Sequence, residues 1–296
     1  MMEGMISVLT ILVLGVLGLV LGSFAGAQVW RLRARQLTED KQSGEPHDTH
    51  ELKLLAPLLR YKGAADRSRC LHCHHQLRWY DLIPLVSWLS TKGTCRYCHH
   101  SIGSFEPLIE IGMAAFFVLS FVYWPAPFES TLAAIQFGLW LVAGVMLAIL
   151  FAYDTKWFLL PDKVVFPLMG VAAGYGIFTV LGQSDTLGAV LSIGGAVLVL
   201  AGLYLLLWII SRGRWIGFGD VKLGLVLGLL VGTWPLALLT LFLANLIGCL
   251  IVIPGLVTKK LSRTTQVPFG PMLIVASFIA VLWGNHIINW YLTAFV

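Results

Sequence analysis

TLAAIQFGLWLVAGVMLAILFAYDTKWFLLPDK, residues 131–163, decides the fold. Its first part, 131–152, carries no charge and is about as long as the ~20 apolar residues that cross a bilayer as a helix. Charge then returns abruptly with Asp154, Lys156, Asp162 and Lys163. Such a run reads as a membrane helix arriving at an aqueous face, with a second helix leaving that face from Lys163. An ionisable residue at a membrane-helix position is costly to keep, which makes Asp154 a candidate functional residue. GFGDVKL (217–223) has the same character: Asp220 opens another apolar run.

The rest of the chain follows that pattern. Of its 296 residues, 58% are hydrophobic and 12% charged, whereas soluble domains carry about a quarter charged residues. The expected fold is an all-α polytopic membrane protein of about eight transmembrane helices. Their limits are 5–27, 108–124, 131–152, 163–182, 187–210, 218–233, 235–257 and 271–293. Twelve of the 20 Lys and Arg residues lie between Arg31 and Arg96. The others flank Asp154, flank Asp220, or precede the last span (Lys259, Lys260, Arg263). The connections at 124–130, 182–186 and 233–235 have none. This one-sidedness is the positive-inside pattern and places all four basic clusters in the cytoplasm. The net charge of +5 therefore reports topology, and the expected partner is the lipid bilayer, not nucleic acid. Ala25-Gly26-Ala27 resembles a cleavage site, but Glu3 is the only charge before the apolar run. The first segment is expected to be a retained helix with its N-terminus outside.

Between the first and second spans lies one long aqueous loop, 31–106. Its polar start, QLTEDKQSGEPHDTHE (36–51), reads as a linker. LKLLAPLLRY (52–61) reads as a patch packing on the loop domain or lying at the interface. Cys70-x2-Cys73 and Cys95-x2-Cys98 are two chelating turns separated by 21 residues. Facing each other, they form a tetrahedral thiolate cage suited to a structural Zn²⁺, with no open position for catalysis. His72, His74, His75, His99 and His100 beside them read as loop or supporting residues. Cys249 reads as a small buried apolar residue inside the seventh span.

The two aspartates are the candidates for chemistry; read instead as interfacial anchors, or as partners of Lys156 and Lys222, they would carry none. Asp154 ends a span running inward and Asp220 begins one running outward, so both lie near the cytoplasmic surface. If the two helices touch, the carboxylates share one proton, because like charges a few ångströms apart cannot both ionise. Such a pair can activate water and protonate a peptide carbonyl. Gly217 and Gly219 allow a bent backbone and close approach of another chain there. Asp162, after Pro161, reads as a helix N-cap. Gly224, Gly228 and Gly232, like Gly170 and Gly174, have the small-xxx-small spacing of close helix packing.

GFGD with AYDTKWFLLPD resembles the bacterial type IV prepilin peptidase family, the GxGD-type aspartic proteases of the inner membrane. The resemblance covers nearly the whole chain. It includes GSF (22–24) before VWRLR, the two Cys pairs around WYDLIPLVSWLSTKGTC, PLIE (107–110) and PFGPML (268–273). It implies a membrane aspartic endopeptidase, with Asp154 and Asp220 catalytic, that cuts the basic leader of prepilins or pseudopilins after a Gly at the cytoplasmic face. It also implies N-methylation of the new terminus with S-adenosylmethionine, associated with the zinc loop. The implied division is a first helix at 1–30, a loop domain at 31–106 and a peptidase domain at 107–296. The chain departs from the family's usual pattern at Ala25-Gly26-Ala27, Asp81-Leu82 and Phe105-Glu106. Without the resemblance, two other readings use the same features: a scaffold whose zinc loop docks a cytosolic partner, and a proton-coupled transporter.

Overall fold

The structure is a computed structural model that describes residues 2–59, 67–125, 128, 130–259 and 267–295. It divides into two compact units, Met1–Phe121 and Val122–Val296.

In the first unit, α1 (Met2–Ser43) is a single helix of 42 residues, about 63 Å long at 1.5 Å per residue. It continues well past the span expected at 5–27. The polar stretch read as a linker is therefore largely helical: 36–43 extends α1, and Thr49–Leu55 forms α2. The reason is burial on one face. Ala34 and Leu37 of α1 close on Leu55, with Leu52, Leu58, Leu59, Leu71 and Trp30 packed around them. Arg33 adds an ion pair to Glu51 at 2.6 Å. The apolar patch from residue 52 thus packs on α1; its residues 60 and 61 lie outside the described segments. Gly44, at φ +77°, takes the left-handed conformation that ends the helix.

α3 (Val86–Ser90) and α4 (Phe105–Val122) complete this unit. A Cβ on Gly18 would lie 2.7 Å from the Ala114 backbone, and one on Gly22 would lie 2.7 Å from Glu110 Cα. The α1 and α4 backbones touch at these two glycines, a contact that only glycine permits.

The second unit comprises α5 (Thr131–Trp157), α6 (Asp162–Leu181), α7 (Thr186–Val197), α8 (Leu203–Ser211), α9 (Phe218–Val231), α10 (Trp234–Val257) and α11 (Gly270–Phe295). A π-helical turn, Leu198–Gly202, joins α7 to α8, so 186–211 forms one span. Among the described residues, seven helical segments are long and apolar enough to cross a membrane. With side chains such as Leu198 and Leu250 exposed (72% and 66%), the chain is a multi-pass membrane protein; Cys249, expected to be buried, is exposed on the same apolar surface.

The expected span at 218–233 differs from the others. α9 has 14 residues, about 21 Å, against a hydrocarbon layer of about 30 Å. It packs against α6, α7, α8, α10 and α11, and Val221, Leu223, Val226, Leu227, Leu230 and Val231 are buried. A helix walled by protein can stop short of the bilayer edge, because its end groups need not meet lipid.

The glycine pattern resolves into distinct roles. A Cβ on Gly224 would lie 3.0 Å from Leu200 O, and one on Gly228 would lie 2.7 Å from Val197 Cα. These two residues seat α9 on α7 and the π turn. Gly232 instead caps α9 in the left-handed conformation. Gly170 meets nothing within 4 Å and Gly174 only a Leu139 methyl at 3.6 Å, so the close contact expected at this pair does not form.

Overpacking a fitted contact costs about 1–3 kcal/mol. Gly228→Val is therefore expected to lower the thermal unfolding midpoint in detergent by several degrees, whereas Gly170→Val leaves it unchanged.

Candidate active site and metal centre

Asp154 lies in the last turn of α5 and is only 6% exposed. The helix runs past the expected end at 152 and stops when Phe158 turns left-handed and donates its N–H to Asp154 O at 2.9 Å. Asp220 lies in the first turn of α9, half-buried, with its N–H donating to Gly217 O at 3.1 Å. α6 and α11 each pack against both α5 and α9. They bring the two carboxylates within electrostatic reach of each other.

The start of α11 fixes one of these groups. The Gly270 N–H donates to the Asp154 carboxylate. A Cβ on Gly270 would sit 2.6 Å from Asp154 Oδ2 and 3.5 Å from Leu223 Cδ2 on α9. No residue larger than glycine lets the backbone come this close. Tyr204, buried at 4% exposure, interacts electrostatically with Asp220 and packs edge-on against Phe269 at 6.0 Å. The sequence reading included Gly270 in the PFGPML motif without giving it a role, and it missed Tyr204. For Gly270 there was a signal: a glycine between Phe269 and Pro271 at the start of an apolar run.

The neighbouring residues have other tasks. Gly217 is the N-cap of α9 at φ −73°, ψ 149°, a conformation open to any residue. Gly219 is needed for space, since a Cβ there would be 3.2 Å from Leu160 Cδ1. Asp162 is not an N-cap: Pro161, whose ring presets φ, takes that position at φ −66°. Asp162 instead pairs with Lys222 of α9 at 2.5 Å. The lysine nearest Asp220 in sequence thus has a different carboxylate for a partner.

In the first unit the two Cys turns form a repeated motif. CLHCHH (70–75) and CRYCHH (95–100) fold alike. The Cys70 N–H donates to His75 O at 3.1 Å, and the Cys95 N–H donates to His100 O at 2.8 Å. His74 and His99 are both left-handed, at φ 57° and 56°. The two turns also pack reciprocally. His100 stacks on His72 at 3.9 Å, and His75 lies on Tyr97 at 3.7 Å. These four rings clamp the turns face to face.

The sulfurs of Cys70, Cys73, Cys95 and Cys98 lie within 4.8 Å of one another, and Cys70 Sγ is 3.9 Å from Cys98 Sγ. A tetrahedral ion with bonds of about 2.3 Å needs sulfurs about 3.8 Å apart. The cluster can therefore hold a metal ion. Burial pushes the Cys70 thiol up to about 12, and a bound cation supplies the compensating charge that a thiolate requires. Asp81 braces the second turn, accepting from Arg78 N (3.1 Å), Arg96 Nε (2.9 Å) and the Tyr97 hydroxyl (2.9 Å). Partial burial works against the Asp81 charge, yet these donors hold its carboxyl below the usual range.

One metal ion per purified chain is the expected elemental analysis. Replacement by Co²⁺ should give the thiolate charge-transfer absorption of a four-sulfur site, and Cys95→Ser should lose both signals.

Two family models match the chain. The Bacterial Peptidase A24 N-terminal domain covers residues 16–124, and the Type IV leader peptidase family covers residues 141–253. Curated relatives named "Prepilin leader peptidase/N-methyltransferase" match over most of their length. The Aeromonas hydrophila protein is 34% identical, covering 80% of this chain and 78% of its own. The Stutzerimonas stutzeri protein is 32% identical, covering 94% and 92%. The Pseudomonas aeruginosa protein is 31% identical, covering 93% and 91%. No solved structure matches the chain.

Proposed function

The chain belongs to the type IV leader peptidase family, and on that basis we propose that it is a membrane aspartic endopeptidase that also methylates its product. The substrates are type IV prepilins or pseudopilins. The cut follows a Gly at the cytoplasmic face of the bacterial inner membrane. The observation that carries this reading is the convergence of Asp154 and Asp220 at opposed helix ends, with Gly270 donating to the first. The peptidase domain is assigned to 107–296, the methyl-transfer region to the loop domain at 31–106, and residues 1–30 to the first membrane helix.

In this mechanism the pair holds one proton. The ionised carboxylate takes a proton from a water molecule as its oxygen attacks the scissile carbonyl carbon. The protonated carboxyl gives its proton to the carbonyl oxygen. When the tetrahedral carbon collapses, the C–N bond breaks, the nitrogen takes the proton that came from water, and a hydroxyl of that carbon returns its proton to the other carboxylate as the acid's C=O forms, so the pair again holds one proton. Gly270 orients Asp154 throughout. Gly217 and Gly219 keep the approach to Asp220 unobstructed by side chains, which suits a substrate presented as extended backbone.

Zn²⁺ fits the four-sulfur donor set of Cys70, Cys73, Cys95 and Cys98, and its role there is to staple a small loop. S-adenosylmethionine supplies a methyl group on a cationic sulfur; transfer leaves a neutral thioether, and the amine that gains the methyl releases a proton.

Leader removal, followed by mass spectrometry of the mature N-terminus, tests this reading. Asp154→Asn and Asp220→Asn should each reduce cleavage by about 10²–10⁴-fold, the usual contribution of positioned acid–base groups. Asp162→Asn should retain most of it. Gly270→Ala is expected to slow cleavage about 10²-fold by displacing Asp154. Full processing by both Asn variants would remove the pair from catalysis.

A further inference from the structure

The first unit contains a cavity of about 250 Å³ lined in part by Cys70 and Cys95 of the two turns, just under the ~300 Å³ lower bound of small-molecule sites. Its wall carries two carboxylates that cleavage does not use, Glu106 and Glu110, four residues apart on α4. Glu110 is buried at 6% exposure. It accepts from the Leu85 N–H at 2.8 Å and hydrogen-bonds Ser23. Glu106 accepts from Trp30 Nε1 at 3.0 Å through Oε1, whereas its Oε2 is sealed from solvent without a hydrogen-bond partner. A buried carboxylate oxygen left unsatisfied is costly unless a donor or cation meets it. The wall also holds the indole of Trp30 and, of opposite charge, Arg31, Arg67 and Arg69.

Both signs of charge beside an aromatic wall suit a ligand that is itself zwitterionic and carries an extra positive charge. We propose that this cavity binds S-adenosylmethionine, with Glu106 and Glu110 supplying the counter-charge to its sulfonium and ammonium groups. The arginines match its carboxylate, and the aromatic and apolar wall matches its adenine. The assignment rests on the methyltransferase reading above and adds the residues that hold the donor. It gives a carboxylate role to Glu106, one of the positions where the chain departs from the family's usual residues. Turnover converts the cationic donor to a neutral thioether, so a site built on carboxylates binds donor more tightly than product and favours exchange.

Calorimetry on the full chain in detergent tests this, using S-adenosylmethionine, S-adenosylhomocysteine and a mature-pilin N-terminal peptide as titrants. Wild type should prefer S-adenosylmethionine over S-adenosylhomocysteine. Glu106→Gln should weaken S-adenosylmethionine about tenfold, the equivalent of one modest charge contact, and narrow the preference by the same factor, Glu110 supplying what remains. Trp30→Phe removes the donor to Oε1 and should weaken it in the same direction. Glu45→Gln, an exposed change, should alter nothing. An unchanged preference in Glu106→Gln, alongside wild-type methylation of the pilin, would overturn this site and leave the methyltransferase reading standing. A loss confined to the peptide would overturn the donor assignment. Wild type that neither binds the donor nor methylates the pilin would overturn both.

Discussion

A backbone N–H meeting a buried carboxylate is the contact on which the peptidase half depends. Asp154 lies inside a helix end, almost out of reach of solvent, where a charge needs a partner to persist. Gly270 provides it, and the missing side chain of Gly270 is what permits the approach. The same glycine begins α11, whose first turn also touches Leu223 of α9. Position and packing therefore coincide. The start of one helix orients the first carboxylate and fixes the helix that carries the second. α9 is free to be short because its neighbours, not lipid, surround it.

The loop unit solves a different problem. It has too few apolar residues for a large core, and its order comes from staples. Four sulfurs converge, four rings stack reciprocally across the two turns, and Asp81 ties the second turn to the chain before it. Glu110 does comparable work at the start of α4, holding Leu85 at a positive φ of 59°. Such a conformation is uncommon for a bulky residue and persists because a buried acceptor fixes the N–H.

Much of this was legible in the sequence. Charge-free runs and the clustering of Lys and Arg point to a multi-pass membrane protein, and the Cys spacing points to the metal cluster. Asp154 and Asp220 stand out because a charge is conspicuous in an apolar chain. The rest depends on tertiary packing. Residues 36–43 look like a linker because their polarity is on the solvent side, while only Ala34 and Leu37 reveal the buried face that extends α1. Gly18 and Gly22 have the same spacing as Gly170 and Gly174, yet only the first pair meets another backbone. Asp162 has the local signature of a cap, but Pro161 occupies that position and Lys222, distant in sequence, claims the carboxylate.

The proposed reaction stands on two carboxylates that share one proton, and the pH dependence of leader cleavage by the purified chain in a bilayer measures this most directly. A shared proton predicts a bell-shaped profile, because the rate requires one ionised and one protonated member. Neither Asp154→Asn nor Asp220→Asn should retain the bell. A wild-type profile with a single limb, or a bell that survives either substitution, would contradict the account.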